Sequence, residues 1–279
     1  MRNFRLGDAK IAIINLGDLR FRLKDINNVP DSERRGEYSD AYENYNPYPT
    51  QDVLISLPNL SVLVDAGDYS LFASFESEYA IPNYTPPPNL VDQLSELQVS
   101  PDGIDYTVIT HAHYDHYAGV TVKTGEGKHI PTFPKSRYLL GKEDFENEET
   151  QKALKDPDSV ESHTFGVLFG TGLLELVGDS KKLCDEIEII ASPGETTGHK
   201  IVKVSSNGET LYCLGDLFHH ASEVAHPSWM AQWDDPKTNI KSRNDLIEAA
   251  LKENALLAPS HMPIGRLEKT GSGARFVQV

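Results

Sequence analysis

Thr110-His111-Ala112-His113-Tyr114-Asp115-His116 packs three imidazoles and a carboxylate into a few residues, directly after Asp105-Tyr106-Thr107-Val108-Ile109. The preceding run reads as a buried strand. In extended chain the side chains at i and i+2 share a face, so His111 and His113 can point at one metal ion. Asp115 and His116 follow where the chain must turn, and can aim at a second ion beside the first. Imidazole and carboxylate together suit zinc, iron, manganese or cobalt rather than calcium. A polar loop with incidental histidines is the alternative, but buried polar groups need partners, and few partners other than metals satisfy four at once.

Composition sets the outer limits. A chain of 279 residues, 39% apolar and 24% charged, can bury a substantial core as one large domain or two small ones. Its formal charge of −16, from 42 acidic against 26 basic residues, opposes phosphate backbones and anionic membranes. No nucleic-acid or membrane partner is expected. Two cysteines, Cys184 and Cys213, cannot make a disulfide framework, and Cys213 in the run Thr210–Leu214 reads as a small core residue. No early segment carries a signal peptide's apolar stretch and no run reaches transmembrane length, so a cytoplasmic location is expected.

Short β-rich runs alternate with helical patterns. Ile11–Leu16 and Leu19–Leu23 read as paired strands, and Val53–Leu57 and Ser61–Val64 as another pair turning at Pro58-Asn59. Asn89 caps a helix whose apolar stripe is Leu90, Val91, Leu94 and Leu97. Arg137–Leu140 is a short strand, and Gly141–Leu154 reads as one polar helix. Leu173–Val177 and Ile187–Ala191 are strands, and Ile201–Val204 and Leu211–Leu214 flank a hairpin turn at Asn207-Gly208. A helix near Asn239–Asn254 precedes the apolar run Ala255–Ala258. Strands in both halves with helices between them point to a layered α/β domain. Two irregular segments, Tyr38–Tyr48 and Ser70–Pro88, are rich in aromatics (Phe72, Phe75, Tyr79 and Tyr84 in the second) and can either cover a site or simply pack over a core edge.

Further candidate ligands stand at strand ends: Asp65 after Val62-Leu63-Val64, His199 closing Ser192-Pro193-Gly194-Glu195-Thr196-Thr197-Gly198-His199, Asp216 after Tyr212–Gly215, and His261 after Leu257–Ser260. Each alone is an ordinary turn residue. The ordered set Asp65, His111-x-His113-x-Asp115-His116, His199, Asp216 and His261 resembles the metallo-β-lactamase superfamily, over nearly the whole chain. That resemblance implies a four-layer αββα sandwich, a single domain over residues 1–279, and a binuclear metal site at one edge. It places His111, His113 and His199 on one ion and Asp115, His116 and His261 on the other. Asp216 would bridge the two, and Asp65 would orient the histidine loop without touching metal. Zinc is the first choice for both ions.

Phe133–Tyr138, Gly215-Asp216-Leu217-Phe218-His219, Ala225–Trp229 and the segment from Trp233-Asp234 to Arg243 resemble the branch that contains methyl parathion hydrolase and acyl-homoserine lactonases. Two departures stand out. Glu195 occupies the place of a non-ligand histidine in many relatives, which should leave the metal site intact. His219 stands where one group of lactonases carries a substrate-facing tyrosine, and is the candidate substrate contact.

Two cations a few ångströms apart lower the pKa of a shared water until it is hydroxide near neutral pH. The expected activity is therefore attack by a metal-bridging hydroxide on an ester-like bond of a small molecule. A lactone is the leading choice, with organophosphate triester cleavage as a side activity. Asp115 is the candidate to pass a proton to the departing alkoxide, and no Gly-x-Ser-x-Gly elbow offers another nucleophile. The alternatives are a thioesterase like glyoxalase II, for which the C-terminal portion is short, and, from a different class, a redox iron protein of the same fold. A homodimer is compatible with the sequence. His129 and His163 read as surface or loop residues, and His220 and His226 as structural.

Overall fold

The structure is a computed structural model and describes residues 1–33, 36–271 and 273–279. Its strands, in chain order, are β1 (Arg2–Leu6), β2 (Ala9–Phe21), β3 (Asn46–Leu57), β4 (Leu60–Val64), β5 (Tyr106–Ile109), β6 (Thr121–Lys123), β7 (His129–Pro131), β8 (Arg137–Gly141) and β9 (Leu174–Val177) in the first half. The second half supplies β10 (Ser180–Lys182), β11 (Ile187–Ala191), β12 (Lys200–Ser206), β13 (Glu209–Gly215), β14 (Leu256–Pro259), β15 (Gly265–Lys269) and β16 (Ala274–Gln278). They form two seven-stranded sheets, β1-β2-β3-β4-β5-β8-β9 and β10 through β16 in order, with β6-β7 as a separate ribbon. Each half thus builds one sheet.

Alternation along the strands decides which residues face what. Ile11 and Ile13 of β2 and Val53 and Ile55 of β3 meet Ile187, Ile189, Val202 and Val204 in the core between the sheets. Their neighbours Ala12, Ile14 and Leu54 face outward, onto a core closed by Leu90, Leu94, Phe165 and Leu168. On the far side, Ile201, Tyr212 and Leu214 pack against Leu246 and Ala250 of the helix Pro236–Glu253. The result is helices, sheet, sheet, helices: the expected four-layer αββα order. Asn89 does cap its helix, its side chain accepting from the Asp92 N–H. The Asn207-Gly208 turn has positive φ at both residues, 50° and 81°, as a two-residue hairpin needs.

Two expectations are revised and one open choice is decided. Ile11–Leu16 and Leu19–Leu23 are not a hairpin but lie mostly in one strand, β2, which pairs with β3 along its whole length through a register shift between Asn15 and Gly17. The polar helix of Gly141–Leu154 is broken into Lys142–Glu146 and Glu148–Ala153, because Asn147 turns extended and caps the second piece. The Tyr42–Tyr48 aromatics do not cover a site: Tyr42 packs edge-on against Trp229, Tyr48 stacks on Phe21 at 4.0 Å, and Tyr45 is exposed beside Arg20 and Arg22. Phe75's side chain, in the second aromatic segment, lies outside the described residues.

Candidate metal centre

All the histidine-cluster side chains reach one place, at the strand ends where the two sheets open. β5 delivers Thr110 and His111, and the chain then turns into the short helix Tyr114–Tyr117, which carries Asp115 and His116. That turn fits tightly beneath Ala66-Gly67, where a Cβ on Gly67 would lie 2.2 Å from the Asp115 carbonyl oxygen. From the second sheet come His199 just before β12, Asp216 just after β13 and His261 just after β14.

Ligands roughly 2.0–2.2 Å from one tetrahedral ion lie roughly 3.3–3.6 Å from each other. Around Asp115, His116, Asp216 and His261 the facing atoms have that spacing. His116 Nε2 is 3.5 Å from an Asp115 oxygen and 3.2 Å from Asp216 Oδ2, and His261 Nε2 is 3.2 Å from each of those two carboxylates. These four residues form one group of candidate ligands. A second group adjoins it through the same Asp216: His111, His113 and Glu195. There His111 Nε2 lies 2.9 Å from His113 Nδ1 and 3.7 Å from Asp216 Oδ2, and Glu195 Oε1 lies 3.4 Å from His113 Nδ1. His199 is alongside, its ring 5.1 Å from that of His111, with its Nε2 accepting the Asp216 N–H at 3.2 Å. The seven expected ligand residues thus lie near one another, and Glu195, which was set aside, stands in the group where His199 was expected.

The imidazoles are fixed from behind, with the opposite nitrogen left facing the centre. His116 Nδ1 meets Asp65 at 2.9 Å, His261 Nδ1 meets the Pro49 carbonyl at 2.8 Å, and His199 Nδ1 meets the Ser192 carbonyl at 3.0 Å. Asp65 lies behind the histidine turn. Its carboxylate accepts the Thr110 N–H at 2.7 Å and the Thr110 hydroxyl at 3.0 Å as well as holding His116, from a backbone with φ of +62°. For a non-glycine residue that conformation is costly and persists only where the surroundings impose it.

Charge in the centre is lopsided. Asp115 and Asp216 are buried, and despite that burial the neighbouring His116 and His261 hold both carboxyls below their ordinary range. Burial lowers the basicity of His261, but Asp216 and Asp115 overcome it and push its pKa up to about 9. Burial takes His199 down to about 3. Asp216 Oδ1 and His116 Nε2 are buried without a hydrogen-bond partner among the described residues. Buried carboxylates facing imidazole nitrogens, with acceptors left over, fit divalent-cation binding.

Sequence reasoning passed over several residues that build the site. Asp144 accepts the Ala112 N–H, the Thr196 hydroxyl and the Gly198 N–H at 2.6–3.1 Å, tying the histidine turn to the 192–199 loop. Asp52 accepts the Gly67 N–H. Glu223 pairs with the fully buried Arg243 at 2.9 Å and accepts the His219 backbone N–H. Only Arg243 had a sequence signal, a charged residue on the helix face that carries Leu246 and Ala250. His219 is buried, 3.6 Å from Asp216 Oδ2, and lines the cavity above the centre. His220 caps the helix Ala221–Ala225, His226 stacks on Trp229 at 4.0 Å, and His129 stacks on His163 at 4.1 Å, all away from the centre. The cavity itself has a volume of about 720 Å³, with Phe72, Tyr79, Tyr114 and Trp233 in its walls.

Residues 45–261 match the metallo-β-lactamase superfamily. The chain belongs to that superfamily. It is an enzyme of the metal-dependent hydrolase kind. Solved structures of superfamily type share its fold throughout. The hydrolase AbOPH of the β-lactamase superfamily is 16% identical, with a TM-score of 0.80 over 99% of this chain and 96% of that one. The dizinc quorum-quenching lactonase AidC is 20% identical, with a TM-score of 0.76 over 100% and 97%. A probable metal-dependent hydrolase from Staphylococcus aureus is 20% identical, with a TM-score of 0.75 over 99% of both chains. Among curated protein sequences no match was found. No described helix is long and apolar enough to cross a membrane.

Proposed function

We propose that the protein is a binuclear metal-dependent hydrolase that opens the ester bond of a lactone, with phosphotriester cleavage as a weaker side activity. The observation that carries this is the pair of adjoining ligand groups sharing Asp216 at the floor of a 720 Å³ cavity. The residues that would hold the cations are His111, His113 and His199 on one side and Asp115, His116 and His261 on the other, with Asp216 between. When bound, two zinc ions supply an acidic water as nucleophile and polarise the ester carbonyl.

The chain's own groups do the rest. Phe72, Tyr79 and Trp233 offer apolar walls to an acyl chain. His219 faces the cavity beside Asp216 and can donate to the substrate. Asp115, at the cavity floor, is placed to hold a proton and release it to the departing alkoxide. Carboxylates including Glu76, Glu149, Asp156 and Glu161 line the cavity, and no lysine or arginine does so among the described residues. That lining favours a neutral substrate and repels polyanions. A small-molecule substrate, no nucleic-acid or membrane partner and a cytoplasmic location complete the proposal. The test is a panel of lactones, thioesters, phosphotriesters, β-lactams and nucleic acid offered to zinc-reconstituted protein. Lactone turnover should lead; nuclease or thioesterase turnover exceeding it would overturn the assignment.

A further inference from the structure

Glu195 is the one buried acid at the centre that the superfamily resemblance gives no role. It lies in the loop between β11 and β12, and its side chain is wholly buried. Oε1 accepts the Trp233 indole N–H at 2.6 Å and lies 3.4 Å from His113 Nδ1 and 3.8 Å from His219 Nε2. Oε2 meets no N–H donor among the described residues, and the side chain instead shares a hydrogen bond with the carboxyl of Asp234. A merely structural buried carboxylate is normally met by N–H and O–H donors rather than by a second acid. Glu195 instead has one oxygen on the same centre as His111, His113 and Asp216, all four ligand atoms within 4.8 Å of one another. The three measured spacings in that group, 2.9, 3.4 and 3.7 Å, bracket those of ligands sharing one ion.

We propose that Glu195 is a direct ligand of the ion held by His111 and His113, a role beyond the seven ligands of the proposed binuclear site, on which this inference rests. Asp115 and Asp216 alone leave two divalent cations with two uncompensated positive charges; Glu195 removes one of them. A second carboxylate oxygen on that ion moves its preference from zinc toward harder ions such as manganese or iron(II). The Trp233 indole, bonded to the same oxygen, becomes a reporter of that ion.

The experiment is calorimetric titration of chelator-stripped protein with zinc and with manganese, elemental analysis of the product, and Trp233 fluorescence recorded through the titration. Wild type and the Glu195→Gln, Glu195→Asp, Trp233→Phe and His261→Ala variants are compared, with circular dichroism as the check on folding. Glu195→Gln should weaken one of the two binding steps at least tenfold, more for manganese than for zinc, and abolish the metal-linked fluorescence change. Glu195→Asp should recover part of the affinity, and Trp233→Phe, which removes the N–H that holds Glu195 Oε1, should weaken the same step by roughly tenfold and leave the other unchanged. Unchanged affinities for both ions in a folded Glu195→Gln overturn the inference. Should that variant not fold, an unaltered fluorescence on loading wild type overturns it instead. His261→Ala separates the two readings: it removes a ligand of the other ion alone, so the ion it retains must still depend on Glu195. Wild type that takes up a single ion insensitive to Glu195 contradicts both readings. A single ion that is lost with Glu195 contradicts only the binuclear one.

Discussion

The two ligand groups of the candidate metal centre are built to different standards. Around Asp115, His116 and His261 the ligand atoms are spaced at 3.2–3.5 Å, and each imidazole is braced from behind by Asp65 or the Pro49 carbonyl. Around His111 and His113 the spacing runs from 2.9 to 3.7 Å, Glu195 and His199 both stand beside the same pair, and the bracing is local, His111 Nδ1 meeting the Thr110 hydroxyl at 3.1 Å and His199 Nδ1 the Ser192 carbonyl at 3.0 Å. The first half takes Asp115 and His116 from one turn held against β4 and His261 from the end of β14 in the other sheet. The second is assembled from a turn and two loops of the other sheet, tied together through Asp144 and backed by His219, Glu223 and Arg243. Where imidazoles are braced by partners far along the chain, as His116 is by Asp65 and His261 by Pro49, geometry is inherited from the fold. Where the bracing is only local, the ion itself must finish the site.

Asp216 belongs to both halves, so the largest effect is expected there. Asp216→Ala should remove the bridge, leave two cations repelling each other, and cost more metal affinity than the roughly 100-fold at the upper end for losing an outer partner. Elemental analysis after dialysis checks it, and retention of two ions would show that the halves are independent.

Next comes the buttress behind the looser half. Burial pushes the Glu223 carboxyl up, but Arg243 and His219 hold it down to about 2. An acid depressed on folding stabilises the native state above its unfolded pKa and loses that contribution as pH falls through the folded value. Glu223→Gln should therefore cost about 3–5 kcal/mol near neutrality, the price of breaking a buried pair. The gap from wild type should close as pH falls from about 4.5 toward about 2. Urea melts across that range read it; a gap independent of pH would mean Glu223 acts by packing alone.

The braced half is tested at Asp65. Asparagine tolerates positive φ, so Asp65→Asn keeps the backbone and removes the charge. Metal affinity should fall roughly 10–100-fold with the melting curve nearly unchanged. Unchanged metal content would return Asp65 to an ordinary turn residue. Smallest of all, Phe72→Ala in the cavity wall should raise KM while leaving kcat close to wild type, and Tyr45→Ala, outside the cavity, should change neither. An effect at Tyr45 equal to that at Phe72 would move the substrate to the other face of the Tyr38–Tyr48 segment.

What the sequence made legible follows the same divide. Alternation in β2, β3 and β12 fixed the sandwich core, and the spacing His111-x-His113-x-Asp115-His116 declared the turn, because both are local patterns. Asp144 and Asp52 were hidden because each acquires its role only through partners roughly 15 to 50 residues or more away, such as Gly67 for Asp52 and Gly198 for Asp144, whereas Glu195 was visible as a departure and was set aside. The long β2 was misread as two strands because a bulge at Gly17 looks, locally, like an interruption. Tyr42 and Tyr48 were ambiguous for the opposite reason: an aromatic in a polar segment can face a ligand or a core, and only packing against Trp229 and Phe21 decides.

The central claim is that two ions sit side by side across Asp216, and counting them is the most direct measurement. Metal per chain is determined by elemental analysis after reconstitution in excess zinc and removal of the loosely held fraction. Two ions per chain in wild type, falling to one in His261→Ala, is the predicted result. One ion or none in wild type would contradict the account.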